Sequence, residues 1–562
     1  MQSKGIEINA SSQILNAVES RLATWKGNNI IARVWELDST VWKKNPEDNI
    51  ELSNRLGWLN LPSKMQEQVS LLESFANETI KSFDEIVLLG MGGSSLAPEV
   101  FFKTFGKRSG YPGLIVLDST HPLSVRKILD NYNLERTLFI VSSKSGGTTE
   151  TMSFYYTFYD ELSKKTTDPG KNFIAITDSG SGLEKLAKAK GFRKIFTTPS
   201  EVGGRYSALT FFGLVPAALI GADLTSLLRS AERMEINCNK GSEVFSSEGF
   251  RLGALLGELY LIKKNKVTFF VSPKISSFPA WVEQLIAEST GKEGKGIVPI
   301  AFEPAGSSSA YGNDRVFVYL RLEGDNNTIY DNEIINLKEK GFPVITIHLS
   351  NIYDLGKEIF RWEIATAMAG SVMEINPFDQ PNVQLAKSLA NESMEEYKKT
   401  GKLPSIKPTI SENGIEYFGD YQADNLKNAF TGFLSHLKEG NYLAIMAFIP
   451  FSDEVELSFS EFKTKVRNKY HAAVTSGYGP RFLHSTGQLH KGDGNEGLFI
   501  QITTDSSDDL DVPGQGYSFG TLITAQAQGD LKALKNNGRK VIRLHLSGNL
   551  KNHIDYLASL IH

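Results

Sequence analysis

Residues 138–154 read LFIVSSKSGGTTETMSF: an apolar run ends in a turn of serine, lysine, glycine and threonine, and a helical pattern follows. This order predicts a buried strand, a small-residue turn and a helix whose N-terminal dipole faces the turn. Hydroxyl groups and glycine backbone in front of a helix favour phosphate binding, although such a turn can also be a simple N-cap. We expect phosphate contacts from these residues: Ser143, Lys144, Ser145, Thr148 and Thr151.

The same unit of apolar run, small-residue turn and amphipathic stretch recurs along the chain, which is typical of an α/β fold. Because the runs are almost wholly apolar, we expect parallel sheets covered on both faces. A first group of strands is predicted at 85–90, 114–120, 138–143 and 173–178. A second group is predicted at 267–273, 296–302, 316–322 and 343–349, and a third at 442–450, 497–503 and 540–546.

We therefore predict an α/β protein with two doubly wound parallel-sheet domains and a smaller C-terminal α/β domain. The first domain, with N-terminal helices, comprises residues 1–245, and the second comprises residues 246–400. The polar stretch 398–414, KKTGKLPSIKPTISENG, marks the boundary with the third domain, 401–562. Residues 1–80 have a mainly helical pattern and are expected to pack on the first domain.

Composition excludes several classes of protein. The 562 residues carry a formal net charge of −4, which gives no basic field for nucleic acid or an anionic membrane. The single cysteine, Cys238, permits no intrachain disulfide and no cysteine metal cluster, and is expected to be a buried apolar residue. Since no leader pattern or long apolar span is present, we expect a cytoplasmic protein. No histidine or cysteine pair has metal-ligand spacing, so we expect neither a metal nor a cofactor.

A second loop rich in small residues, GMGGSS at 90–95, also follows a strand and opens a helix. It could be a dinucleotide turn, but its spacing is not GxGxxG and the expected acidic residue is matched only loosely by Asp118. The alternative is contact with a sugar ring. On that interpretation we expect Gly92, Gly93 and Ser94 to contact the substrate.

Five segments, in order, resemble the signatures of the glucose-6-phosphate isomerase family. They are GMGGSSLAP (90–98), SKSGGTTET (143–151), GGRYS (203–207), EQLIAESTGKEGKG (283–296) and NPFDQPNVQLAK (376–387). With RVWELDSTVWKK (33–44) and RLGWLNLP (55–62), the chain is most similar to the isomerase part of bifunctional transaldolase/glucose-6-phosphate isomerases. The resemblance implies two sugar-isomerase (SIS-type) domains, interconversion of glucose 6-phosphate and fructose 6-phosphate without metal, and a homodimer with shared active sites.

The resemblance also assigns the proton-transfer groups. Moving a carbonyl between C1 and C2 requires a base next to the reacting carbons, and a carboxylate in a partly dry pocket can serve. Glu288 matches the family's catalytic glutamate. A fixed guanidinium can stabilise the negative enediolate, and Arg205 matches the family's arginine.

Ring opening requires a second acid–base group, for which the family uses a histidine and a lysine. Lys387 matches the lysine, and Gln380 lies seven residues before it, which on a helix would place both on one face as substrate contacts.

The histidine departs from the family pattern. Residues 289–379 contain only His348, which lies in an apolar strand and is interpreted as a core residue. The segment RFLHSTGQLHKG (481–492) is similar to the family's histidine segment with one residue fewer, displaced to the C-terminal region. We therefore favour His484 as the catalytic histidine and keep His490 as a second candidate and substrate contact.

Two other functions stay open at this point. One is a related sugar-phosphate isomerase of broader specificity that also accepts mannose 6-phosphate. The other is a binding protein without catalysis, since the fold also serves that purpose. A binding protein has no need of the base and the arginine that the sequence provides.

Overall fold

The structure is a computed structural model that describes residues 5–45, 51–421, 423–506 and 508–562. Its strands are β1 (Ile6–Asn9), β2 (Glu85–Gly90), β3 (Gly113–Leu117), β4 (Thr137–Ser142), β5 (Phe173–Asp178), β6 (Lys194–Thr198), β7 (Lys266–Val271), β8 (Val298–Ile300), β9 (Arg315–Leu322), β10 (Val344–Leu349), β11 (Ile410–Glu412), β12 (Ile415–Phe418), β13 (Tyr442–Phe448), β14 (Ala473–Tyr478), β15 (Gly497–Thr504) and β16 (Lys540–Leu546). They form three sheets.

The α-helices, numbered in chain order, are α1 (Ser12–Gly27), α2 (Ile30–Trp35), α3 (Leu61–Gln66), α4 (Val69–Thr79), α5 (Leu96–Phe105), α6 (Pro122–Asn131), α7 (Thr149–Ser163), α8 (Gly182–Ala189), α9 (Phe211–Leu219), α10 (Leu224–Asn237), α11 (Glu248–Leu261), α12 (Phe278–Thr290), α13 (Thr328–Glu339), α14 (Leu355–Met373), α15 (Val383–Thr400), α16 (Leu426–Leu434), α17 (Asp453–Tyr470), α18 (Gly487–Gly492), α19 (Phe519–Asn536) and α20 (Leu550–Ser559). Within the described ranges, none of these helices is long and apolar enough to cross a membrane.

The first sheet has the order β3-β2-β4-β5-β6, and all its neighbouring strands are parallel. The four strands predicted here are confirmed. Strand β6 at the edge was not predicted, because its short sequence KIFTT mixes exposed and buried residues and lacks a long apolar run. The connection after β2 leads to β3 on one side of the sheet, and the connection after β4 leads to β5 on the other side. The topological switch point therefore lies between β2 and β4.

The second sheet has the order β1-β10-β9-β7-β8, and its four predicted strands are confirmed as a parallel set. Strand β1 is antiparallel to β10, with Ile6 opposite Ile347. The expectation that residues 1–80 pack on the first domain is therefore wrong for the first elements of the chain. Helix α1 follows β1 to the second unit, where Arg21 Nε lies 2.6 Å from Glu258 Oε1 of α11.

His348 is not the core residue that the sequence analysis expected. It lies in β10, but its side chain is exposed, whereas its neighbours Ile347 and Leu349 are buried. Because consecutive residues of a strand point to opposite faces, the burial of the two aliphatic neighbours leaves the imidazole on the other face. Cys238, by contrast, is buried as predicted, and burial raises the pKa of its thiol to about 11.

The third sheet has the order β11-β12-β16-β15-β13-β14. The predicted strands β13, β15 and β16 are confirmed and are parallel to one another in the sheet. Sequence analysis missed β14, which is parallel to β13, and the antiparallel pair β11 and β12 at the other edge. The fold class is thus the predicted one, while the exact domain ranges 1–245, 246–400 and 401–562 stay predictions.

Helices α11 and α14 cross at very short range on the second unit. Gly249, Gly253 and Gly257 recur every fourth residue of α11 and therefore share one helix face. A Cβ atom at Gly253 would lie 2.6 Å from Met368 Cβ, and one at Gly257 would lie 2.5 Å from Val372 Cβ. The two helices can approach this closely only because α11 has glycines there, with a hydrogen atom in place of a side chain.

We expect Gly253→Ala to lower the free energy of unfolding by about 1–3 kcal/mol, the usual cost of overpacking, despite the higher helix propensity of alanine. Gly27→Ala is the matched control, because no atom lies within 4 Å of a Cβ built at that helix position. Urea unfolding of both variants measures the difference. Equal stability of the two would contradict a close α11–α14 contact.

Candidate functional site

The two small-residue loops of the sequence analysis meet at the switch point of the first sheet. Loop 90–95 follows β2, and the turn 143–148 follows β4, its neighbour in the sheet. Ser142 Oγ donates a hydrogen bond to the Ser94 carbonyl oxygen across 3.0 Å and so joins the loops. Ligands of open α/β sheets bind at this place, beyond the carboxyl ends of the strands.

The predicted phosphate turn is closed by its own hydroxyl groups. Ser143 Oγ accepts a hydrogen bond from Gly146 N at 3.2 Å and lies 3.2 Å from Thr148 Oγ1. Ser145 Oγ accepts from Gly147 N at 3.1 Å. Helix α7 starts directly behind the turn, so its N-terminal amides face the same space. The arrangement is that of an anion cradle.

Two residues predicted for this turn are placed differently from the others. Lys144 Nζ donates to Asp178 Oδ1 at 2.8 Å, and desolvation lowers the pKa of its ammonium group. Thr151 lies inside α7 with its hydroxyl buried and without a hydrogen-bond partner in the described residues. Lys144 stays at the rim of the turn, whereas Thr151 contributes to the interior of the helix packing.

The glycines of loop 90–95 are needed for the close approach of two other segments. Gly92 has a φ of +55°, and a Cβ there would lie 2.5 Å from the His484 carbonyl oxygen. A Cβ at Gly93 would lie 2.1 Å from the Gly204 carbonyl oxygen. The loop therefore holds the backbones of the Arg205 turn and of the His484 segment together.

Arg205 and Glu288 form a buried ion pair beside this loop. Their side chains are 2% and 8% exposed, and Arg205 Nη1 lies 3.2 Å from Glu288 Oε2. Gln284 Nε2 donates to the other carboxylate oxygen at 3.2 Å. Burial raises the pKa of Glu288, although Arg205 and Gln284 oppose the shift. A carboxylate with a raised pKa and a fixed guanidinium neighbour is suited to general base catalysis.

The guanidinium of Arg205 is fixed by further acceptors. Its Nε donates to Ser289 Oγ at 2.8 Å, and its Nη1 donates to Gln380 Oε1 at 2.9 Å. Its Nη2 donates to the carbonyl oxygens of Pro377 at 2.8 Å and Asp379 at 2.9 Å. Arg205 thus joins the first sheet unit to α12 and to the segment before α15.

Glu288 reaches the site from the end of α12. The chain leaves β7 at the carboxyl edge of the second sheet, returns along α12 and enters β8, so Glu288 lies toward the amino edge. The second sheet therefore departs from the rule that ligands of open α/β sheets bind beyond the carboxyl ends of the strands.

Gln380 and Lys387 do not share a helix face as the sequence spacing suggested. Helix α15 begins at Val383, so Gln380 lies in the preceding segment, where Arg205 holds its amide. Lys387 is exposed on α15 and has no hydrogen bond or ion pair with the described residues. Its charge nevertheless lies near enough to help lower the pKa of Glu150.

Lys292 is a buried cation next to these groups. Its Nζ donates to the Asp379 carbonyl oxygen at 2.6 Å and to Asp379 Oδ1 at 2.7 Å. Desolvation and the nearby charge of Arg205 lower its pKa to about 8. The segment that carries Gln380 is therefore held from two sides, by Arg205 and by Lys292.

Of the two histidine candidates, the structure brings His484 to the site. Its Nε2 lies 2.9 Å from Glu150 Oε1, which also accepts from Gln526 Nε2 at 2.7 Å. Burial opposes ionisation of Glu150, but His484 and the hydrogen bonds outweigh it and lower the pKa of this carboxyl group. Gln284 Nε2 also donates to the His484 carbonyl oxygen at 2.8 Å, which connects His484 to the Glu288 pair.

His490 lies in the core of the third unit. Its ring centroid is 5.1 Å from that of Phe499 and 6.0 Å from that of Phe482. Its Nδ1 has no hydrogen-bond partner among the described residues, and burial keeps its pKa well below the usual value. The imidazole is thus neutral and packs as a core side chain.

The side chains of Gln488 and Arg481 make polar contacts that hold the third unit against the other two. The buried Gln488 of α18 donates to the Gly291 carbonyl oxygen at 2.8 Å and to Asn382 Oδ1 at 2.7 Å, which joins the end of α12 to the start of α15. Arg481, at the start of the His484 turn, pairs with Glu99 and, across 3.1 Å, with Asp118. These contacts position His484 from its own chain.

Sequence reasoning missed Glu150, Gln284, Gln488, Gln526 and Arg481. Glu150 could have been found in the sequence as the acidic residue of the GGTTET segment (146–151). The amide side chains carry no sequence signal of their own. Among the residues that the structure describes, no group of three or more histidine, cysteine, aspartate or glutamate side chains could hold a metal ion.

The chain is similar in sequence to known proteins. Residues 60–301 match the sequence profile of the phosphoglucose isomerase family. A probable glucose-6-phosphate isomerase of Methanococcus maripaludis is 29% identical over 61% of this chain and 85% of its own length. The glucose-6-phosphate isomerase of Fusobacterium nucleatum is 28% identical over 59% of this chain and 85% of its own.

Two solved structures share the fold. A hypothetical protein of Thermus thermophilus superposes with a TM-score of 0.60 at 24% identity, over 69% of this chain and all of its own. A glucose-6-phosphate isomerase of Chlamydia trachomatis superposes with a TM-score of 0.59 at 18% identity, over 71% of this chain and 90% of its own.

We expect Arg481→Met to lower the free energy of unfolding by about 3 kcal/mol near neutral pH, because it removes the guanidinium that both the Glu99 and the Asp118 carboxylates pair with. Burial opposes ionisation of Glu99, but Arg481 and Lys103 outweigh it and lower its pKa to about 2, so wild type keeps this stabilisation down to acidic pH. In the variant the carboxyl pKa values rise, and protonation relieves the cost.

The loss should therefore be smaller near pH 5 than near pH 7.5, as measured by urea unfolding at both values. Arg136→Met, which breaks an exposed pair with Asp84, is the control and should have little effect at either pH. An equal loss at both pH values would show that Arg481 acts through packing alone.

Proposed function

We propose that this chain, which belongs to the phosphoglucose isomerase family, interconverts glucose 6-phosphate and fructose 6-phosphate as an aldose–ketose isomerase. The observation that carries the proposal is the convergence of two acid–base groups in one chain. The buried Glu288 with Arg205, and His484 with Glu150, are linked through Gln284 beside the phosphate turn.

In this proposal the turn after β4 binds the phosphate of the substrate. The hydroxyl groups of Ser143, Ser145 and Thr148 and the amides at the start of α7 supply neutral donors. Lys144 adds a positive charge at the rim, and Gly92, Gly93 and Ser94 form the neighbouring wall. The phosphate does not react, so these contacts fix the position of the reacting carbons.

His484 opens the sugar ring. Its imidazolium donates a proton to the ring oxygen, the bond between C1 and that oxygen breaks, and the resulting neutral imidazole accepts the proton of the C1 hydroxyl. Glu150 orients the imidazole and stabilises its cationic form. Lys387 on α15 takes part from the exposed side as the second ring-opening group. The resulting open-chain aldose presents its C2 proton to Glu288.

Glu288 then removes the C2 proton and returns it to C1, while the proton of the C2 hydroxyl passes to the C1 oxygen, so that the carbonyl group moves from C1 to C2 through a cis-enediolate. Its raised pKa makes the carboxylate a better proton acceptor. Arg205 is held in place by Ser289, Gln380 and main-chain oxygens, so it can stabilise the enediolate without rearranging. No step requires a metal ion.

A cytoplasmic location, a homodimer and the likeness to the isomerase part of bifunctional proteins belong to the same proposal. The candidate groups come from one chain, including the histidine that the family takes from the neighbouring subunit. The proposed activity therefore does not depend on a dimer.

The direct test is formation of glucose 6-phosphate from fructose 6-phosphate, followed by coupled reduction of NADP with glucose-6-phosphate dehydrogenase. Parallel assays with mannose 6-phosphate determine whether the specificity is broader. Binding of fructose 6-phosphate without turnover would identify a sugar-phosphate-binding protein and contradict the proposal.

We expect Glu288→Gln to reduce turnover by about 10²–10⁴-fold while fructose 6-phosphate still binds, because the amide keeps the shape and loses the base. Glu283→Gln is the matched control on the same helix. Burial raises the pKa of Glu283 to about 8, so its carboxyl group is already neutral near pH 7 and the amide imitates it. Steady-state kinetics and calorimetry measure both variants, and wild-type turnover of Glu288→Gln would remove it from the mechanism.

We expect His484→Ala to lose most activity on closed-ring substrate but to keep exchange of the C1/C2 proton in an open-chain analogue, for which Glu288 suffices. His490→Ala should lower stability by leaving a cavity between aromatic rings and should affect turnover far less. Deuterium exchange followed by NMR separates the two effects. The reverse order of activities would assign ring opening to His490.

A further inference from the structure

One face of the third sheet carries polar side chains where a covered sheet is normally apolar. In β16, Arg543 and His545 are two residues apart and therefore share a face, while Ile542, Leu544 and Leu546 pack in the core on the other. The register places Gln501 beside Arg543 and Thr503 beside His545 in β15. This row of polar groups lies under helix α19 and is not part of the site described above.

A cavity of about 160 Å³ opens between this face and α19, toward the carboxyl ends of β15 and β16. Phe418, Phe448 and Ile523 form apolar walls, and Arg543 and Thr503 supply polar groups. Apolar walls with a few convergent polar groups are typical of sites for small molecules. The cavity has room for a molecule of about the size of a monosaccharide.

The guanidinium of Arg543 is incompletely paired. The residue is 8% exposed, and its Nε donates a hydrogen bond to Gln501 Oε1 at 2.7 Å. Its Nη2 is buried without a hydrogen-bond partner in the described residues. Asp530, whose charge acts on Arg543, is already paired with Lys491 Nζ at 2.6 Å. A buried cation without a full set of acceptors is costly unless a ligand completes the set.

The other charged and polar groups around the cavity define what could bind. His545 lies 3.0 Å from Thr503 Oγ1 and 3.1 Å from Asp505 Oδ1, so its ring is already engaged. Glu416 lines the cavity and can accept hydrogen bonds, and Thr524 lies at its mouth. Arg543 is suited to an anionic group, while Glu416 and the threonines are suited to hydroxyl groups.

We propose that this cavity binds a small hydroxylated anion, a sugar acid or a sugar phosphate, whose anionic group pairs with Arg543. The hydroxyl groups of the ligand bond to Glu416 and Thr503, and its carbon skeleton packs against Phe418 and Phe448. The site is separate from the Glu288 site and does not depend on the proposed isomerase activity.

Hydrogen–deuterium exchange mass spectrometry of the full chain tests the proposal, since it locates binding along the sequence. The probes are D-gluconate, ribose 5-phosphate and, as an uncharged control, sorbitol. We expect one or both anions to slow exchange in segments 519–527 and 540–546, and sorbitol to have no effect. Which anion acts distinguishes a carboxylate site from a phosphate site.

Three variants make the result specific. Arg543→Met removes the charge, and Ala527→Leu fills the cavity while keeping Arg543. Both should abolish the protection and raise the Kd of the effective probe about tenfold to a hundredfold. Lys540→Met, on the exposed start of the same strand, is the matched control and should bind as wild type does. Turnover of fructose 6-phosphate and circular dichroism show that each variant is folded.

The proposal is overturned if neither anion slows exchange in these segments of the wild-type protein. It is also overturned if the protection persists in Arg543→Met or in Ala527→Leu, or if sorbitol is as effective as the anions. Protection confined to segment 143–152 would place binding at the turn after β4 and would likewise exclude this cavity.

Discussion

The site depends on the hydrogen bonds and the ion pair of the buried Arg205 guanidinium. A charge taken out of water must find acceptors on every side, and Arg205 finds them on the Ser289 hydroxyl, the Glu288 carboxylate, the Gln380 amide and two main-chain carbonyl oxygens. These acceptors belong to the end of α12 and to the segment before α15. The acceptors around this one side chain therefore hold the two sheet units in a fixed relation, with the Glu288 carboxylate at their junction.

The third unit completes the site through a different set of contacts. Arg481 pairs with acids of the first unit, Gln488 joins α12 to α15, and Gln526 of α19 shares Glu150 with His484. Because Gly92 and Gly93 have no side chains, the backbone of loop 90–95 comes into direct contact with the backbones at His484 and Gly204. Helix α19 contacts Glu150 with one face and covers the Arg543 cavity with another, so the two regions share one rigid element.

The three sheets supply the site from different edges. The first contributes the loops at its switch point, and the third contributes the turn after β14, both at carboxyl ends. The second contributes the C-terminal end of α12, toward its amino edge. A rule for where ligands bind on one sheet is therefore insufficient when several sheets share a ligand, because packing between units decides which edges face the common space.

Local patterns in the sequence determined the fold class, most parallel strands and the turn after β4, whereas Arg205 and Glu288 were assigned from the family resemblance. Apolar runs and small-residue turns are properties of neighbouring residues, so they can be read without the fold. Only the tertiary structure decided that His484 rather than His490 meets Glu150, that Gln380 lies outside α15, and that His348 is exposed. Each of these depends on contacts between residues far apart in the chain, and the same residue type serves equally well in a core, on a surface or in a site until those contacts are made.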